Sequence, residues 1–252
     1  MGIRGEYRVP RVFILFDPTF GGASRMAITG VFALAGARAL VVAGLAAEVA
    51  PDNEAAGAFI GRFVRGLLKT LVPHTEPSTE YIVIPEGNNG AVASDRYVQF
   101  RAALVAGGVH IDRVSAYMHA GPGNVARIGV VKTERSTHTM CAPRARARAR
   151  RDTPAAHRYN MLRDALTSAR VYWHAGLAAV TPRTSAKSVV KQAVTELGRV
   201  RINREATLDA AGRRSERYSL HGKAGGQNDD LAVVLGMAAL YTMEWATTAR
   251  FA

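Results

Sequence analysis

The stretch VFILF, from Val12 to Phe16, is the clearest strand signal in the sequence, and it stops at Asp17-Pro18. A short apolar run of β-forming residues bounded by a turn signal predicts a fully buried strand. Two further strand-like segments follow at 26–35 and 38–46, so we expect the first three strands to form an antiparallel meander. This arrangement would place Asp17 at one end of a central strand.

The middle of the chain continues the alternation of strands and helices. A helical pattern starts at Asn53 and stops at Pro73, and the apolar segment Tyr81–Ile84 predicts a second buried strand that ends at Pro85-Glu86. A second acid therefore follows a buried strand. Beyond it we expect a helix at 92–105 and strands at 109–118 and 127–132.

The last part of the chain predicts a loop and several helices. Residues 133–155 indicate a loop, because arginines alternate with alanines there and no core can form. Further elements are expected as helices at 157–170 and 185–197, short strands at 199–202 and 218–220, and a helix at 229–247 capped by Asn228. No repeat or composition break marks a second domain, so we expect residues 1–252 to form a single α/β domain.

The composition indicates a globular protein, since 48% of the residues are hydrophobic. The apolar stretches are interrupted by charges or too short to cross a bilayer, so no membrane span is expected. The first residues lack the apolar core of a secretory signal, and we expect a protein that is not secreted. Cys141 is the single cysteine, which argues against a disulfide or a multi-cysteine zinc site.

The net charge of +13 is concentrated in one region of the chain. Residues 135–223 hold 19 Lys and Arg against 6 Asp and Glu, whereas the rest of the chain is neutral. A concentrated basic surface attracts polyanions and gains free energy by releasing their counterions. Nucleic acid is therefore the expected partner, and the alternative is a basic surface that only keeps the protein soluble.

Four carboxylates stand at the ends of predicted buried elements: Asp17, Glu86, Asp229 and Asp230. Taken singly, they could be a turn residue, a loop residue and a helix-capping pair. Taken together, buried acids are costly unless a cation lies between them. Mg²⁺ and Mn²⁺ prefer such oxygen ligands, and two of these ions can promote phosphodiester hydrolysis.

Three strings extend this pattern to a known family: FDPTFGGAS at 16–24, IPEGNN at 84–89 and GGQNDDLAVVLGMA at 225–238. In this order they resemble the three acidic motifs of the nuclease domain of large terminase subunits, above all the herpesvirus-type DNA-packaging terminase. The resemblance implies an RNase H-like fold with a central mixed β-sheet flanked by helices. It also implies that Asp17, Glu86 and one or both of Asp229 and Asp230 bind two Mg²⁺ or Mn²⁺ ions.

The same resemblance implies an endonuclease that cuts double-stranded viral DNA concatemers during genome packaging with little sequence specificity. Its partners would be the terminase ATPase domain, other packaging subunits and the portal. Its location would be the host nucleus if the protein is herpesvirus-like and the host cytoplasm otherwise. No GxxxxGK[ST] phosphate loop occurs in this chain, so we expect the nuclease part without the ATPase motor, or a stand-alone relative.

Several basic residues are candidates for contacts with DNA phosphates: Lys223, Arg144, Arg146, Arg148, Lys187 and Lys191. Each could equally be a solvated surface residue. Two other functions also fit the sequence. One is a different RNase H-like nuclease, such as a junction resolvase or a transposase-type core, and the other is a non-catalytic basic DNA-binding module.

Overall fold

The computed structural model describes residues 2–3, 8–18, 25–34, 39–87, 90–120, 128–130, 171–178, 186–208, 212, 214–221 and 228–248. The strands within these ranges are β1 (Gly2–Ile3), β2 (Arg11–Asp17), β3 (Arg25–Leu34), β4 (Ala39–Val49), β5 (Glu80–Gly87), β6 (Val114–Ala120), β7 (Ile128–Val130), β8 (Val171–Ala178), β9 (Arg201–Leu208) and β10 (Arg214–His221). The helices are α1 (Asn53–Leu71), α2 (Gly90–Ala106), α3 (Ala186–Arg199) and α4 (Asp230–Thr248), with short 3-10 helices at Val72–His74 and Ile111–Arg113.

Eight of the described strands form one mixed sheet in the order β1-β8-β4-β3-β2-β5-β6-β7. β2, β3 and β4 pair antiparallel in sequence, which confirms the predicted meander. β5 adds to the other edge of β2 in parallel, and β6 adds to β5 in the same direction. β2 therefore lies in the middle of the sheet, whereas β9 and β10, among the strands that the structure describes, pair only with each other.

Two of the strand boundaries that differ from the prediction have a local cause. β5 does not end at Pro85 but continues to Gly87. Pro85 still pairs with Phe16 on β2, whereas the pairing of β5 with β6 skips Ile84 and Pro85, and proline has no amide hydrogen to donate there. The strand expected at 109–118 begins only at Val114, since His110 accepts a hydrogen bond from the Asp112 amide and starts a 3-10 turn.

The second half of the chain differs more. β8, which pairs in parallel with β4, was not predicted at all. The strands expected at 199–202 and 218–220 are longer and form a hairpin, as β9 and β10. The predicted loop at 133–155 and the predicted helix at 157–170 lie outside the described residues.

Helices cover both faces of the sheet. α1 and α2 pack on one face, in a core that contains Ile14, Phe16 and Phe63. α3 and α4 pack on the other face, in a core that contains Leu15 and Ile84. Because a central strand buried on both faces needs apolar residues at every position, β2 shows the continuous run rather than an alternation. None of the described helices is long and apolar enough to cross a membrane.

Two glycines allow α1 to approach the sheet closely. Gly30 on β3 pairs with Gly44 on β4. A Cβ atom added at Gly30 would lie 2.7 Å from the methyl carbons of Leu67, and one at Gly44 would lie 3.0 Å from the ring of Phe63. The helix therefore packs into a shallow depression formed by the missing side chains.

We expect Gly30→Ala to lower the free energy of unfolding by about 1–3 kcal/mol, because the new methyl group overpacks the contact with Leu67. Urea denaturation measures this loss. The matched control is Gly198→Ala, since a Cβ atom at that position of α3 meets no atom within 4 Å and alanine favours a helix. A Gly30→Ala protein at least as stable as wild type would contradict the close contact between β3 and Leu67 of α1.

Candidate metal centre

Asp17 and Glu86 stand side by side at one edge of the sheet. β2 and β5 run parallel, with Leu15 opposite Ile84 and Phe16 opposite Pro85. The next residue on each strand is a carboxylate, and neighbouring strands lie about 4.8 Å apart. The structure thus brings together two acids that are 69 positions apart in the chain.

Both carboxylates lie on the face of the sheet that α3 and α4 cover. Successive side chains of a strand alternate between faces, so residues two apart share one. Leu15 and Ile84 belong to the core beneath α4, and the residues two positions later are Asp17 and Glu86. Glu86 is buried, with 9% of its surface exposed, whereas Asp17 is half-buried.

The start of α4 supplies the other two acids on this same face. Asp229 directly precedes the helix and its carbonyl oxygen accepts a hydrogen bond from the Val233 amide at 2.9 Å. Leu231 packs in the same core as Leu15 and Ile84. Asp229 and Asp230 are 7% and 3% exposed. All four predicted carboxylates therefore lie on one side of the sheet.

Asp230 belongs to an ion-pair cluster. Its Oδ2 accepts a hydrogen bond from Nε of Arg25 at 3.2 Å, and Nη2 of the same arginine donates to Oε1 of Glu196 at 2.7 Å. The side chains of Arg25, Glu196 and Asp230 are only 14%, 4% and 5% exposed. One arginine thus lies between two buried carboxylates, one on α3 and one on α4.

The other oxygen of Glu196 caps α4. Its Oε2 accepts a hydrogen bond from the Leu231 amide at 2.8 Å, and Gln192 donates to Oε1 at 3.2 Å. The first amides of a helix need acceptors from outside it, and here a neighbouring helix supplies one. The N-cap position is Asp229 and not the predicted Asn228, since α4 begins at Asp230 and the Asp229 carbonyl oxygen accepts a helical hydrogen bond from the Val233 amide.

Arg25 and Glu196 were missed by sequence reasoning, although Glu196 carried a signal. Val189, Ala193 and Leu197 form the buried stripe of α3, and Glu196 lies seven positions after Val189. A carboxylate at a buried position of an amphipathic helix requires a partner. Arg25, as the first residue of β3, offered no comparable signal.

The chemistry of Asp17, Glu86 and Asp229 suits a hard divalent cation, since all three offer carboxylate oxygens at partly or fully buried positions. Within the part of the chain that the structure describes, however, no three His, Cys, Asp or Glu side chains stand close enough together to hold a metal ion. The carboxylate donors and their position on one face of the sheet are those of a metal centre, but the described side chains do not stand close enough together to coordinate one ion.

The predicted DNA contacts are only partly described. Lys223, Arg144, Arg146 and Arg148 lie outside the described residues. Lys187 and Lys191 are exposed on α3. An open groove of about 480 Å³ runs along this helix to the start of α4, and it is lined by Ser188, Lys191, Gln192, Thr195, Glu196, Arg199 and Asn228.

Comparison with known proteins finds similarity at the level of structure. No protein-family model and no curated protein matches the chain. The human cytomegalovirus terminase nuclease domain, soaked with Mn and bound to an inhibitor, matches 92% of this chain and 82% of its own, with 14% identity and a TM-score of 0.55. The nuclease domain of the large terminase subunit gp2 of bacterial virus Sf6 matches 93% and 89%, with 16% identity and a TM-score of 0.52.

The fold is therefore RNase H-like, a mixed sheet flanked by helices on both faces, and this prediction is confirmed. More particularly, the described part of the chain shares this fold with the terminase nuclease domains to which the chain is similar. The resemblance seen in the three acidic motifs thus extends to the three-dimensional structure.

Proposed function

We propose that this protein is a metal-dependent endonuclease of the terminase type, and that Asp17, Glu86 and Asp229 hold its divalent cations. One observation carries the proposal. The two acids at the ends of neighbouring parallel strands lie on the sheet face covered by α4, the helix that Asp229 directly precedes. The fold shared with terminase nuclease domains supports the same assignment.

Mg²⁺ or Mn²⁺ suits the carboxylate donors of this site, and we propose that two ions bind there. Carboxylates at such positions are costly without a cation nearby, and these metals bind through a few carboxylates together with substrate phosphate. Bound there, the ions would supply an activated water and stabilise the leaving oxygen. Asp17, Glu86 and Asp229 would fix the positions of the ions, while the sheet beneath keeps the carboxylates from moving apart.

Double-stranded DNA is the proposed substrate, held along α3. The exposed charged residues that the structure describes on this helix are Lys187, Lys191 and Arg199, all positive. The groove containing Lys191 and Arg199 leads to Asn228, next to Asp229. A phosphate backbone lying in it would pass close to the acids, and contacts to phosphates explain cutting with little sequence specificity.

The biological role we propose is cleavage of viral DNA concatemers during genome packaging. The protein would then work with a terminase ATPase domain, other packaging subunits and the portal. It would act in the host nucleus if it comes from a herpesvirus-like virus and in the host cytoplasm otherwise.

Removing the two groove cations is expected to weaken DNA binding in a salt-dependent way. In the double variant Lys191→Ala/Arg199→Ala, the slope of log K against log salt concentration should fall by about 2, since each lost phosphate contact removes roughly one unit. Fluorescence anisotropy with a DNA duplex at several salt concentrations measures it. Lys69→Ala is the control, because Lys69 is exposed on α1 across the sheet, and an equal effect of both variants would argue against the groove.

A plasmid-nicking assay tests the function. We expect supercoiled DNA to be nicked and linearised with Mn²⁺ or Mg²⁺ and left intact with EDTA. A non-catalytic DNA-binding module would bind the plasmid without nicking it under any metal. A junction resolvase would prefer a four-way junction over a duplex of the same sequence, whereas a packaging nuclease should show no such preference.

A further inference from the structure

The cluster of Arg25, Glu196 and Asp230 supplies none of the proposed metal ligands, yet it surrounds the start of α4. Three elements that are distant in the chain meet there, because Arg25 opens β3, Glu196 lies on α3 and Asp230 opens α4. The three side chains are at most 14% exposed. Burying three charges has a large desolvation cost, so a specific role for the cluster is worth testing.

The cluster connects the first turn of α4 to two neighbouring elements, β3 and α3. Arg25 connects the Asp230 carboxylate to β3 through a hydrogen bond of 3.2 Å. Glu196 connects the Leu231 backbone to α3 through a hydrogen bond of 2.8 Å. Arg25 and Glu196 are themselves joined at 2.7 Å. The backbone on the C-terminal side of Asp229 is thus held from both the sheet and the neighbouring helix.

The same contacts engage the carboxylate of Asp230 in an ion pair with Arg25. Its Oδ2 faces the guanidinium group, and adjacent residues at a helix start point in different directions because each position turns by about 100° around the axis. A carboxylate that accepts a hydrogen bond from arginine is already compensated in charge. Asp229, one residue earlier, directly precedes the helical turn that the cluster holds.

We infer that Arg25, Glu196 and Asp230 are positioning residues, which hold the start of α4 so that Asp229, and not Asp230, completes the metal site with Asp17 and Glu86. This inference rests on the proposed metal-dependent function. It assigns different roles to two neighbouring acids that the sequence cannot tell apart.

Isothermal titration with Mn²⁺ alone tests the assignment, with thermal melting as a check of folding. We expect Asp229→Asn to weaken Mn²⁺ binding at least about 100-fold or to remove one bound ion. Asp230→Asn should keep the number of bound ions and lose about 10-fold in affinity, the size of effect seen when a group that orients a ligand is changed.

Two conservative variants separate positioning from stability alone. Arg25→Lys keeps the charge but cannot serve both carboxylates with a rigid fork, and Glu196→Gln keeps an oxygen for the Leu231 amide. We expect both to fold and to lose about 10- to 100-fold in Mn²⁺ affinity and in plasmid cutting. Arg62→Lys is the matched control, since Arg62 pairs with Glu48 at 2.7 Å on the α1 side, and it should leave Mn²⁺ affinity unchanged.

The inference is overturned if Asp230→Asn removes an ion as Asp229→Asn does, or if Arg25→Lys and Glu196→Gln bind Mn²⁺ and cut DNA like wild type. Its failure differs from failure of the proposed function. If Asp17→Asn and Asp229→Asn both bind Mn²⁺ as tightly as wild type, the metal site itself is wrong, and the inference falls with it.

Discussion

Asp17→Asn is expected to reduce Mn²⁺-dependent cutting of supercoiled DNA by about 1,000-fold, equivalent to about 4 kcal/mol of transition-state stabilisation. The substitution replaces one carboxylate oxygen by an amide nitrogen, which does not bind a hard cation. Asp17 lies at the end of a strand in the centre of the sheet. The change removes a ligand and leaves the surrounding packing as it is.

Glu54→Gln is the control for Asp17→Asn, since Glu54 is exposed in the first turn of α1 on the other side of the sheet. The rate of nicking, measured on agarose gels over time, should be that of wild type. If Asp17→Asn and Glu54→Gln cut equally fast, Asp17 is not a ligand for a catalytic ion. The interpretation of Asp17 as a turn residue would then stand.

Arg25→Met is expected to lower the free energy of unfolding by about 3–5 kcal/mol, the range for removing one partner of a buried ion pair. Methionine fills much of the same space, but it leaves the carboxylates of Glu196 and Asp230 buried close to each other without a cation. Urea denaturation of the purified protein measures the loss. The effect should exceed that of any single exposed ion pair in the described part of the chain.

A triple variant distinguishes lost charge compensation from lost packing. Arg25→Met combined with Glu196→Gln and Asp230→Asn has no buried charge left in the cluster, so it should recover much of the stability that Arg25→Met loses. Arg11→Met is a second comparison, because Arg11 pairs with Glu80 at 2.6 Å while more than a third of each side chain is exposed. An equal loss for Arg11→Met and Arg25→Met would contradict the special role of the buried cluster.

The strands that carry the first two acids were predictable, because the runs before Asp17 and Glu86 are continuous and apolar. Because these runs are apolar at every position, they do not indicate on which face of the sheet each acid lies. A strand buried on both sides shows no alternation, so the side of the sheet on which Asp17 lies follows only from its pairing with β5 and the core beneath α4.

The roles of Asp229 and Asp230 could not be predicted, since they depend on residues far away in the chain. Arg25 is 205 positions from Asp230 and 171 from Glu196. Local patterns favoured a cap from Asn228, but the acceptor for the Leu231 amide comes from another helix. β8 was missed as well, and its position in the sheet depends on pairing with β4, which lies more than 100 positions earlier in the chain.

The most direct test of the metal site is a crystal structure of the wild-type protein soaked in Mn²⁺, with the ions located by their anomalous scattering. We predict two peaks on the α4 side of the sheet, bound by carboxylate oxygens of Asp17, Glu86 and Asp229 at about 2 Å, with Asp230 still paired to Arg25. The absence of any peak near Asp17 and Glu86 at saturating Mn²⁺ would show that these residues do not form a metal site.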